Sequence, residues 1–304
     1  MPLNQTDPKP DGPLTLEWIN LEFASHCNLR CKWCSLDHDK PKQVMPAELL
    51  AKVLDEVVAD PGINLKRIEL HNAGETLLHP DLPGMFAVIA ARKERLPIIN
   101  LLTNAGALNE ARTRAILDSG AIDVIRFSVD GGTQAEFEEL RKPARWAQIR
   151  DNIHRFLDAN ERSARKLRTG VICIVAPEKT LTQDWMEPEF RALFARIDDV
   201  SLRFPHNWDG SAELGVNDRD YKYHAKVSKG KTCYFLIKDM VFLPNGDATV
   251  CCADLNSRGV IGNVTQSTIR EIYHSSKRQR MLQLFGEGRK DDIDLCRTCT
   301  GYYM

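Results

Sequence analysis

The sequence lacks both a long apolar run and a strong net charge. No stretch of its 304 residues approaches the roughly 20 consecutive apolar residues of a bilayer-spanning helix. A formal net charge of −1 provides no basic field that would draw the chain to nucleic acid or to an anionic membrane. These absences predict a protein without a membrane anchor and without a nucleic-acid partner.

The amino terminus also lacks an apolar segment. It reads MPLNQTDPKPDGP, which is polar and proline-rich and has no apolar stretch of the kind found in a secretory signal. We therefore expect a flexible lead-in over residues 1–14 and a cytoplasmic location. In that reducing compartment, the nine cysteines are expected to be metal ligands or catalytic groups rather than disulfides. Their odd number also argues against complete pairing.

Short apolar runs alternate with amphipathic helical patterns between about residues 15 and 205. Six of these runs predict strands: LTLEWINLEF, RIEL, IINLLT, VIRFSVD, TGVICIV and VSLRF. Six alternating β-α units indicate a parallel sheet with helices outside, and they fall short of the eight units of a complete barrel. The predicted fold is α/β, with a partial (β/α)6 barrel over residues 15–206.

The pattern changes after about residue 206. The polar stretch PHNWDGSAELGVNDRDYKYHAKVSKGK has no clear period. Two extended runs then flank Asn245 and Gly246, which is a strong hairpin signal. The segment TIREIYHSSKRQRMLQLF has a helical pattern, and CRTCTGYYM follows it. Residues 207–304 are therefore expected to form a small module of a β-hairpin plus helix.

Three cysteines, Cys27, Cys31 and Cys34, follow the first predicted strand with C-x3-C-x2-C spacing. Ligands of parallel α/β proteins bind beyond the carboxyl ends of the strands, where this loop is placed. A [4Fe-4S] cluster has four irons, each of which is normally ligated by one thiolate. Three cysteines can hold the cluster and leave the fourth iron open for chemistry. A zinc site that includes His26 or His38 is the alternative on ligand count.

The loop resembles the C-x3-C-x-aromatic-C signature of the radical S-adenosylmethionine (SAM) superfamily, with Trp33 at the aromatic position. Three later segments resemble superfamily motifs in the same order. HNAGETLLHP resembles the GGE motif with Ala73 replacing one glycine, LLTNAG resembles the TNG segment, and FSVDGG with LRKPARW resembles the region that holds the SAM ribose and carboxylate. The resemblance implies that the fourth iron chelates SAM. SAM cleavage then yields a 5′-deoxyadenosyl radical that removes a hydrogen atom from substrate.

The resemblance implies cofactor-binding roles for seven residues. Glu75 is expected to accept hydrogen bonds from the SAM ammonium group, and Arg141 to pair with its carboxylate. Trp33 is expected to pack near adenine. The other matching positions are Gly74, Asn104, Ser128 and Asp130. Ordinary structural explanations stay open for these positions, since Asn and Asp are common in turns after strands.

A second set of cysteines lies in the C-terminal part. Cys233 precedes the hairpin, Gly246 lies in its turn, Cys251 follows it, and Cys296 and Cys299 form C-x2-C. The pattern Cys-x12-Gly-x4-Cys with a later C-x2-C resembles the start of a SPASM domain, or its shortened form, the twitch domain. The resemblance implies an iron-sulfur module, and four thiolates suffice for one auxiliary [4Fe-4S] cluster. Structural zinc held by four cysteines is the alternative.

Two cysteines remain. Neighbouring side chains on extended backbone point in opposite directions, so Cys251 and Cys252 are not expected to bind one cluster, and the Gly-x4-Cys spacing favours Cys251 as the ligand. Cys252 and Cys173 are therefore candidate catalytic hydrogen-atom donors. For Cys173, a small buried hydrophobe is the simpler interpretation.

The implied chemistry has two natural outcomes. A substrate radical can lose a proton and an electron, so that a carbinol becomes a ketone. Alternatively, a thiol returns a hydrogen atom to the opposite face and the stereocentre inverts. The resemblance extends to epimerases and dehydrogenases of sugar- and aminocyclitol-containing natural products, including those of antibiotic biosynthesis. The spare thiols favour epimerisation over dehydrogenation.

The expected cofactors are two [4Fe-4S] clusters and SAM, and the expected partners are a small sugar or aminocyclitol and an electron donor such as flavodoxin or ferredoxin. The candidate substrate-facing residues are His206, Asn207, Trp208, Asp209 and Asp254. Two other functions stay open. A peptide-modifying maturase could recruit a separate recognition protein, and a non-enzymatic iron-sulfur or zinc protein would bind metal without cleaving SAM.

Overall fold

The structure is a computed structural model that describes residues 12–212 and 232–299. Its centre is a nine-stranded sheet with the strand order β11-β10-β9-β1-β3-β4-β5-β7-β8, and β2 and β6 form a separate ribbon. The strands are β1 (Trp18–Leu21), β2 (Arg30–Cys31), β3 (Arg67–Leu70), β4 (Ile98–Thr103), β5 (Val124–Ser128), β6 (Arg141–Lys142), β7 (Arg168–Ile174), β8 (Asp199–Arg203), β9 (Asp239–Phe242), β10 (Asp247–Thr249) and β11 (Val260–Asn263).

Each of the six predicted apolar runs contains a strand of this sheet, and neighbouring members pair in parallel. Helices follow these strands along the chain, so the predicted α/β fold with a partial six-stranded barrel is confirmed. The helices are α1 (Ala47–Ala59), α2 (Leu82–Ala90), α3 (Glu110–Asp118), α4 (Gln134–Leu140), α5 (Trp146–Arg162), α6 (Pro188–Phe194), α7 (Tyr234–Lys238), α8 (Ile269–Tyr273) and α9 (Ser276–Gly286).

The two faces of the sheet differ because side chains alternate along each strand. Ile19, Ile68 and Ile99 lie in register on three neighbouring strands, and Leu101 of β4 pairs with Ile125 of β5; all five side chains are fully buried in the main hydrophobic core. The helices pack on this outer face. The opposite side of the sheet, called the inner face below, carries polar side chains at the intervening positions. The functional residues described next lie on the inner face or at the carboxyl ends of its strands.

The predicted hairpin forms between β9 and β10, with Gly246 in its turn at a φ of +87°, where glycine is favoured. Strand β9 also pairs in parallel with β1, so the hairpin extends the barrel sheet. Two local expectations need correction. Residues 235–238 are helical rather than extended, and the helical pattern after residue 268 divides into α8 and α9.

Parts of three predicted segments lie outside the described residues. These are residues 1–11 of the lead-in, residues 213–231 of the polar stretch and residues 300–304 after the last cysteine. Within the described ranges, no helix has the length and apolar composition needed to cross a membrane.

Candidate active site

The first cysteine loop follows β1 and lies at the carboxyl end of the parallel strands, as predicted. The ribbon of β2 and β6 places Cys31 opposite Arg141. The Cys27 sulfur accepts hydrogen bonds from the Leu29 backbone N–H at 3.4 Å and from Asn104 Nδ2 at 3.6 Å. The loop is therefore held by the ribbon and by the loop that follows β4.

Burial raises the pKa of all three thiols in this loop, to about 11 for Cys27 and to about 12 for Cys31, with Cys34 shifted in the same direction. Cysteines bind metal as thiolates, so their protons must leave when a cluster is bound. The Arg141 guanidinium opposes the rise in the pKa of Cys31 because its positive charge stabilises the nearby thiolate. Arg141 is thus a built-in counter-charge for this site.

The carboxylate of Glu75 is buried and accepts hydrogen bonds from its own chain. The donors are Thr103 Oγ1 at 2.7 Å, the Asn104 backbone N–H at 2.8 Å and the Leu77 backbone N–H at 3.1 Å. Burial raises the pKa of this carboxyl group. The residue therefore ties the GGE-like segment to the TNG-like segment and positions Asn104 against the Cys27 sulfur. Its contact with the SAM ammonium group stays a prediction.

Gly74 lies against the backbone of Ala24 and His26, just before the first cysteine. A Cβ atom at this position would lie 1.9 Å from the Ala24 carbonyl oxygen, so no larger residue fits. On the cysteine loop, the indole Nε1 of Trp33 is buried and has no hydrogen-bond partner within the described residues. A buried donor without an acceptor is costly, and this one is consistent with an acceptor on a bound cofactor.

Ser128, Asp130 and Arg141 form one buried cluster beside the cysteine loop. Arg141 Nε donates to Asp130 Oδ2 at 2.9 Å, and Nη2 of the same guanidinium donates to Ser128 Oγ. The other Asp130 oxygen accepts a hydrogen bond from the Ile174 backbone N–H at 3.0 Å. The tertiary structure thus brings together the three residues that resemble the ribose- and carboxylate-binding region. Their contacts with SAM stay predictions.

The four C-terminal cysteines proposed as ligands line a single cavity. Cys233, Cys251, Cys296 and Cys299 share its wall with apolar side chains, Phe285 among them. They are brought together from three separated segments. All nine cysteines lie within the described residues, and none forms a disulfide. Four thiols facing one apolar cavity match the donor set of a fully ligated [4Fe-4S] cluster.

The loop after β8 packs against this cavity, and substrate contacts of His206, Asn207 and Trp208 stay predictions. Asn207 is buried, and its Nδ2 donates to the Thr298 carbonyl oxygen at 3.1 Å, next to the last cysteine. Trp208 and Asp209 both line the cavity. His206 Nδ1 accepts the Trp208 backbone N–H at 3.0 Å. The loop therefore holds the C-x2-C segment against the rest of the site.

The predicted substrate contacts of Asp209 and Asp254 are replaced by contacts within the protein. Asp209 is 2% exposed and pairs with Arg258 Nη1 at 3.0 Å. Asp254 is fully buried, and its Oδ2 accepts Thr249 Oγ1 at 2.6 Å and the Gly259 N–H at 2.7 Å. Its other oxygen accepts the Arg258 N–H at 2.8 Å. Asp254 thus shapes the loop after Cys251, and we withdraw it as a substrate ligand.

Cys252 begins a turn rather than continuing a strand, so the extended backbone assumed for the two neighbouring cysteines is not present. Only Cys251 lines the cavity, while the backbone N–H of Cys252 donates to Asp239 Oδ2 at 3.2 Å. The Cys252 side chain lies close enough to Cys251 and Asp239 to shift the pKa of both groups. Burial raises the pKa of Asp239 to about 8. Sequence reasoning missed Asp239, although a lone carboxylate in the apolar run IKDMVFL was an available signal.

Cys173 lies on the outer face of β7 and is fully buried in the main core. It pairs in register with Leu202, and its thiol donates to the Gly131 carbonyl oxygen at 3.1 Å. Burial raises the pKa of this thiol well above its usual value. The placement removes Cys173 from the candidate hydrogen donors, because a substrate at the inner face is on the other side of the sheet.

Direct contacts join the first cysteine loop to the loop after Cys251. Asn256 Nδ2 donates to the Ser35 carbonyl oxygen at 2.7 Å, and its Oδ1 accepts the Asp37 backbone N–H at 2.9 Å. Lys40 Nζ donates to the Leu255 carbonyl oxygen at 2.8 Å. The sequence carries no signal for these contacts, since the partners are more than 200 positions apart.

Single metal ions and iron-sulfur clusters place different demands on their ligands. Structural zinc needs four ligand atoms within about 2.3 Å of one point, whereas a [4Fe-4S] cluster binds each thiolate at a different iron. Within residues 12–212 and 232–299, no three His, Cys, Asp or Glu side chains converge on a position that could hold one metal ion.

Two family models match this chain. The model of the radical SAM superfamily matches residues 21–181, and that of the SPASM iron-sulfur cluster-binding domain matches residues 233–300. The first match spans more than half of the sequence. The chain belongs to the radical SAM superfamily and is a radical SAM enzyme. Its cofactors are SAM and [4Fe-4S] clusters, one of them auxiliary.

Curated relatives share less than a third of their residues with this chain. It is 28% identical to the GTP 3′,8-cyclase of Mycobacterium marinum over 228 residues, which cover 70% of this chain and 60% of that protein. It is 26% identical to the GTP 3′,8-cyclase of Chlorobaculum tepidum over 143 residues, 47% of this chain and 42% of that protein. A cofactor-modifying protein for the tungsten-containing aldehyde ferredoxin oxidoreductase of Pyrococcus furiosus is 29% identical over 38% of this chain and 31% of its own length. The chain thus spans less than two thirds of these relatives.

Solved structures show the same fold over nearly the whole chain. BtrN in complex with AdoMet and 2-DOIA has a TM-score of 0.61 at 18% identity and covers 94% of this chain and 93% of its own. Streptococcus suis SuiB bound to the precursor peptide SuiA has a TM-score of 0.56 at 15% identity, with coverage of 96% and 72%. At such identities, the likeness shows the fold alone.

Proposed function

We propose that this enzyme removes a carbinol hydrogen from a sugar or aminocyclitol and epimerises that carbon. The observation that carries the proposal is the position of Cys252. Cys252 follows the proposed ligand Cys251 but does not line the auxiliary cavity, and its backbone N–H donates to Asp239 Oδ2 at 3.2 Å, on a side chain that belongs to the inner face. A hydrogen-donating thiol is therefore available beside a set of cluster ligands.

The cofactors would be held by the two thiol sets. Cys27, Cys31 and Cys34 are the proposed ligands of the SAM-binding cluster, and the four thiols of the C-terminal cavity those of the auxiliary cluster. When bound, SAM and its cluster supply the radical that removes the substrate hydrogen. The Ser128, Asp130 and Arg141 cluster would bind SAM polar groups, and Glu75 would keep Asn104 in place.

The proposed role of Cys252 is to complete the inversion. Its S–H bond breaks, a C–H bond forms on the opposite face of the substrate carbon, and a thiyl radical remains on Sγ. One electron from a flavodoxin- or ferredoxin-type donor and one proton restore the thiol. Asp239, which accepts the Cys252 backbone N–H, is the carboxyl group nearest that residue in the proposal. One SAM is consumed in each turnover, because its adenosyl product keeps the abstracted hydrogen.

Dehydrogenation is the second candidate. The four thiols that face the C-terminal cavity would hold a one-electron acceptor, and oxidation of a carbinol to a ketone needs no donor thiol. The two reactions give different products from one substrate. The epimer has the mass of the substrate plus one solvent-derived deuterium in D2O, whereas the ketone is two hydrogens lighter.

The test is anaerobic turnover in D2O with SAM and dithionite. The probes are myo-inositol, 2-deoxystreptamine and neamine, together with a short peptide library for the maturase alternative. We expect 5′-deoxyadenosine formation with a polyol and one deuterium at an inverted carbon. Cys252→Ala should abolish deuterium incorporation, and Cys173→Ala, the matched control, should retain it. A ketone from the wild type would favour dehydrogenation, and turnover of peptides alone would overturn the proposal.

A further inference from the structure

A row of polar side chains crosses the inner face of the sheet. The strand register pairs Asn20 of β1 with Glu69 of β3, and Glu69 with Asn100 of β4. Asn100 Nδ2 donates to Glu69 Oε1 at 3.1 Å, and Asn20 Nδ2 donates to the His71 carbonyl oxygen at 3.3 Å. We call Asn20, Glu69 and Asn100 the polar layer. None of them was singled out by the superfamily motifs.

The polar layer and its neighbour on β9 contain buried oxygen atoms that have no hydrogen-bond partner within the described residues. Asn20, Asn100 and Asp239 are 2%, 5% and 2% exposed, and the Oδ1 atom of each is buried without a hydrogen-bond partner there. Asp239 lies on the same face, because it pairs in register with Trp18, two residues before Asn20. Several unmet acceptors in one region destabilise a folded chain. A bound molecule that donates hydrogen bonds would satisfy them.

The charges around the polar layer restrict what that molecule can be. Arg67 Nε lies 2.6 Å from Glu69 Oε1, with its guanidinium over the Trp18 ring at 4.4 Å. Arg126 Nη2 lies 3.4 Å from Asp199 Oδ2. Each guanidinium group has a carboxylate neighbour that balances its charge, although Arg67 Nε and Arg126 Nε are themselves buried without a hydrogen-bond partner within the described residues. The inner face therefore offers acceptors and donors without an uncompensated positive charge, which suits hydroxyl or amino groups and disfavours phosphate or carboxylate groups.

We propose that the polar layer is a specificity-determining site that binds hydroxyl or amino groups of an uncharged or cationic polyol. The inference rests on the proposed function, because its occupant is the substrate of that reaction. Asn20 and Asn100 accept hydrogen bonds from two substrate donors through their Oδ1 atoms. The spacing of these acceptors on neighbouring strands then decides which carbon faces the radical.

The experiment measures binding before chemistry. The reconstituted enzyme with SAM, but without reductant, is heated in the presence of 2-deoxystreptamine, myo-inositol, glucose 6-phosphate or GTP. We expect at least one of the first two to raise Tm and neither phosphorylated probe to do so. Asn20→Leu and Asn100→Leu should weaken polyol binding about tenfold, the loss of one hydrogen bond. Each substitution removes an unmet buried acceptor but also one donated hydrogen bond, so a Tm measured without ligand first confirms that both variants fold.

The matched control is Asn160→Leu on α5. Asn160 is also a buried asparagine, but both of its amide atoms bond to the Leu167 backbone. Its replacement should lower Tm and leave polyol binding intact. Equal polyol affinity in wild type, Asn20→Leu and Asn100→Leu would overturn the inference, as would stabilisation by GTP or by no polyol.

Turnover separates this inference from the proposed function. If polyols are epimerised with unchanged KM in Asn20→Leu and Asn100→Leu, the polar layer is refuted and the proposed function stands. If polyols raise Tm through the polar layer but are never converted, the proposed function fails and the binding site stands. Conversion with a KM about tenfold higher in both variants supports both.

Discussion

The indole Nε1 of Trp208 donates a 2.6 Å hydrogen bond to the backbone carbonyl of Trp33. Trp33 lies between Cys31 and Cys34, whereas Trp208 lines the cavity of the C-terminal cysteines. The Trp208 side chain therefore contacts the N-terminal cysteine loop and also lines the cavity of the C-terminal cysteines. The Trp208 backbone has a φ of +55°, so the loop must be held by its neighbours to keep this contact.

Trp208→Phe should preserve the ring packing and remove only the N–H group. We expect the free energy of unfolding to fall by about 1 kcal/mol, while the iron content stays at about eight atoms per chain. Trp208→Ala should remove part of the cavity wall, cost about 3–5 kcal/mol and lower iron toward about four. Urea unfolding and iron analysis measure both effects.

Trp185→Phe, which also loses an indole bond to a backbone carbonyl, is the control for the N–H group. Equal iron in all three variants would contradict the bridging role.

Cys251→Ala and Cys252→Ala form a matched pair of adjacent thiols. Only Cys251 lines the cavity, so only its loss should lower iron and sulfide from about eight to about four per chain after anaerobic reconstitution. Cys252→Ala should keep the full iron and sulfide content and lose only the transfer of a hydrogen atom to the substrate. Loss of iron in both variants would show that either thiol can serve as the ligand, and would remove the proposed division of roles.

The buried pair of Arg141 and Asp130 allows stability and SAM binding to be separated. Arg141→Met leaves a buried carboxylate unpaired and should destabilise the fold by about 3–5 kcal/mol. Adding Asp130→Leu should recover most of that loss, because the unpaired charge is gone. Neither variant should regain SAM affinity, measured by equilibrium dialysis. A double variant that binds SAM normally would show that the pair is structural only.

Asp254→Asn tests the loop after Cys251. The change removes the negative charge from a fully buried group that accepts three hydrogen bonds. We expect a loss of about 2–3 kcal/mol in unfolding free energy and a partial loss of auxiliary iron, because the loop positions a ligand. Asp294→Asn is the control, since that carboxylate is exposed although it also pairs with Arg258. Similar effects from both substitutions would argue against a special role for Asp254.

Much of the candidate site follows from local spacing. The C-x3-C-x2-C loop, the six strands and the hairpin at Gly246 are each encoded within a few residues, so alternation and turn chemistry reveal them. The polar layer also left a local trace. Asn20, Glu69 and Asn100 each place an amide or carboxylate side chain between apolar residues of a strand, a signal that sequence reasoning did not use.

The sequence alone determined the six barrel strands, the superfamily motifs and the two sets of thiols, because each depends on residues close together in the chain. Only the tertiary structure decided how they meet. It placed Cys173 on the outer face, turned Cys252 toward Asp239 and committed Asp254 to its own loop. These outcomes depend on strand register and on contacts between residues far apart in sequence, such as β9 with β1. Packing and hydrogen bonding in three dimensions select them, and no local pattern records that selection.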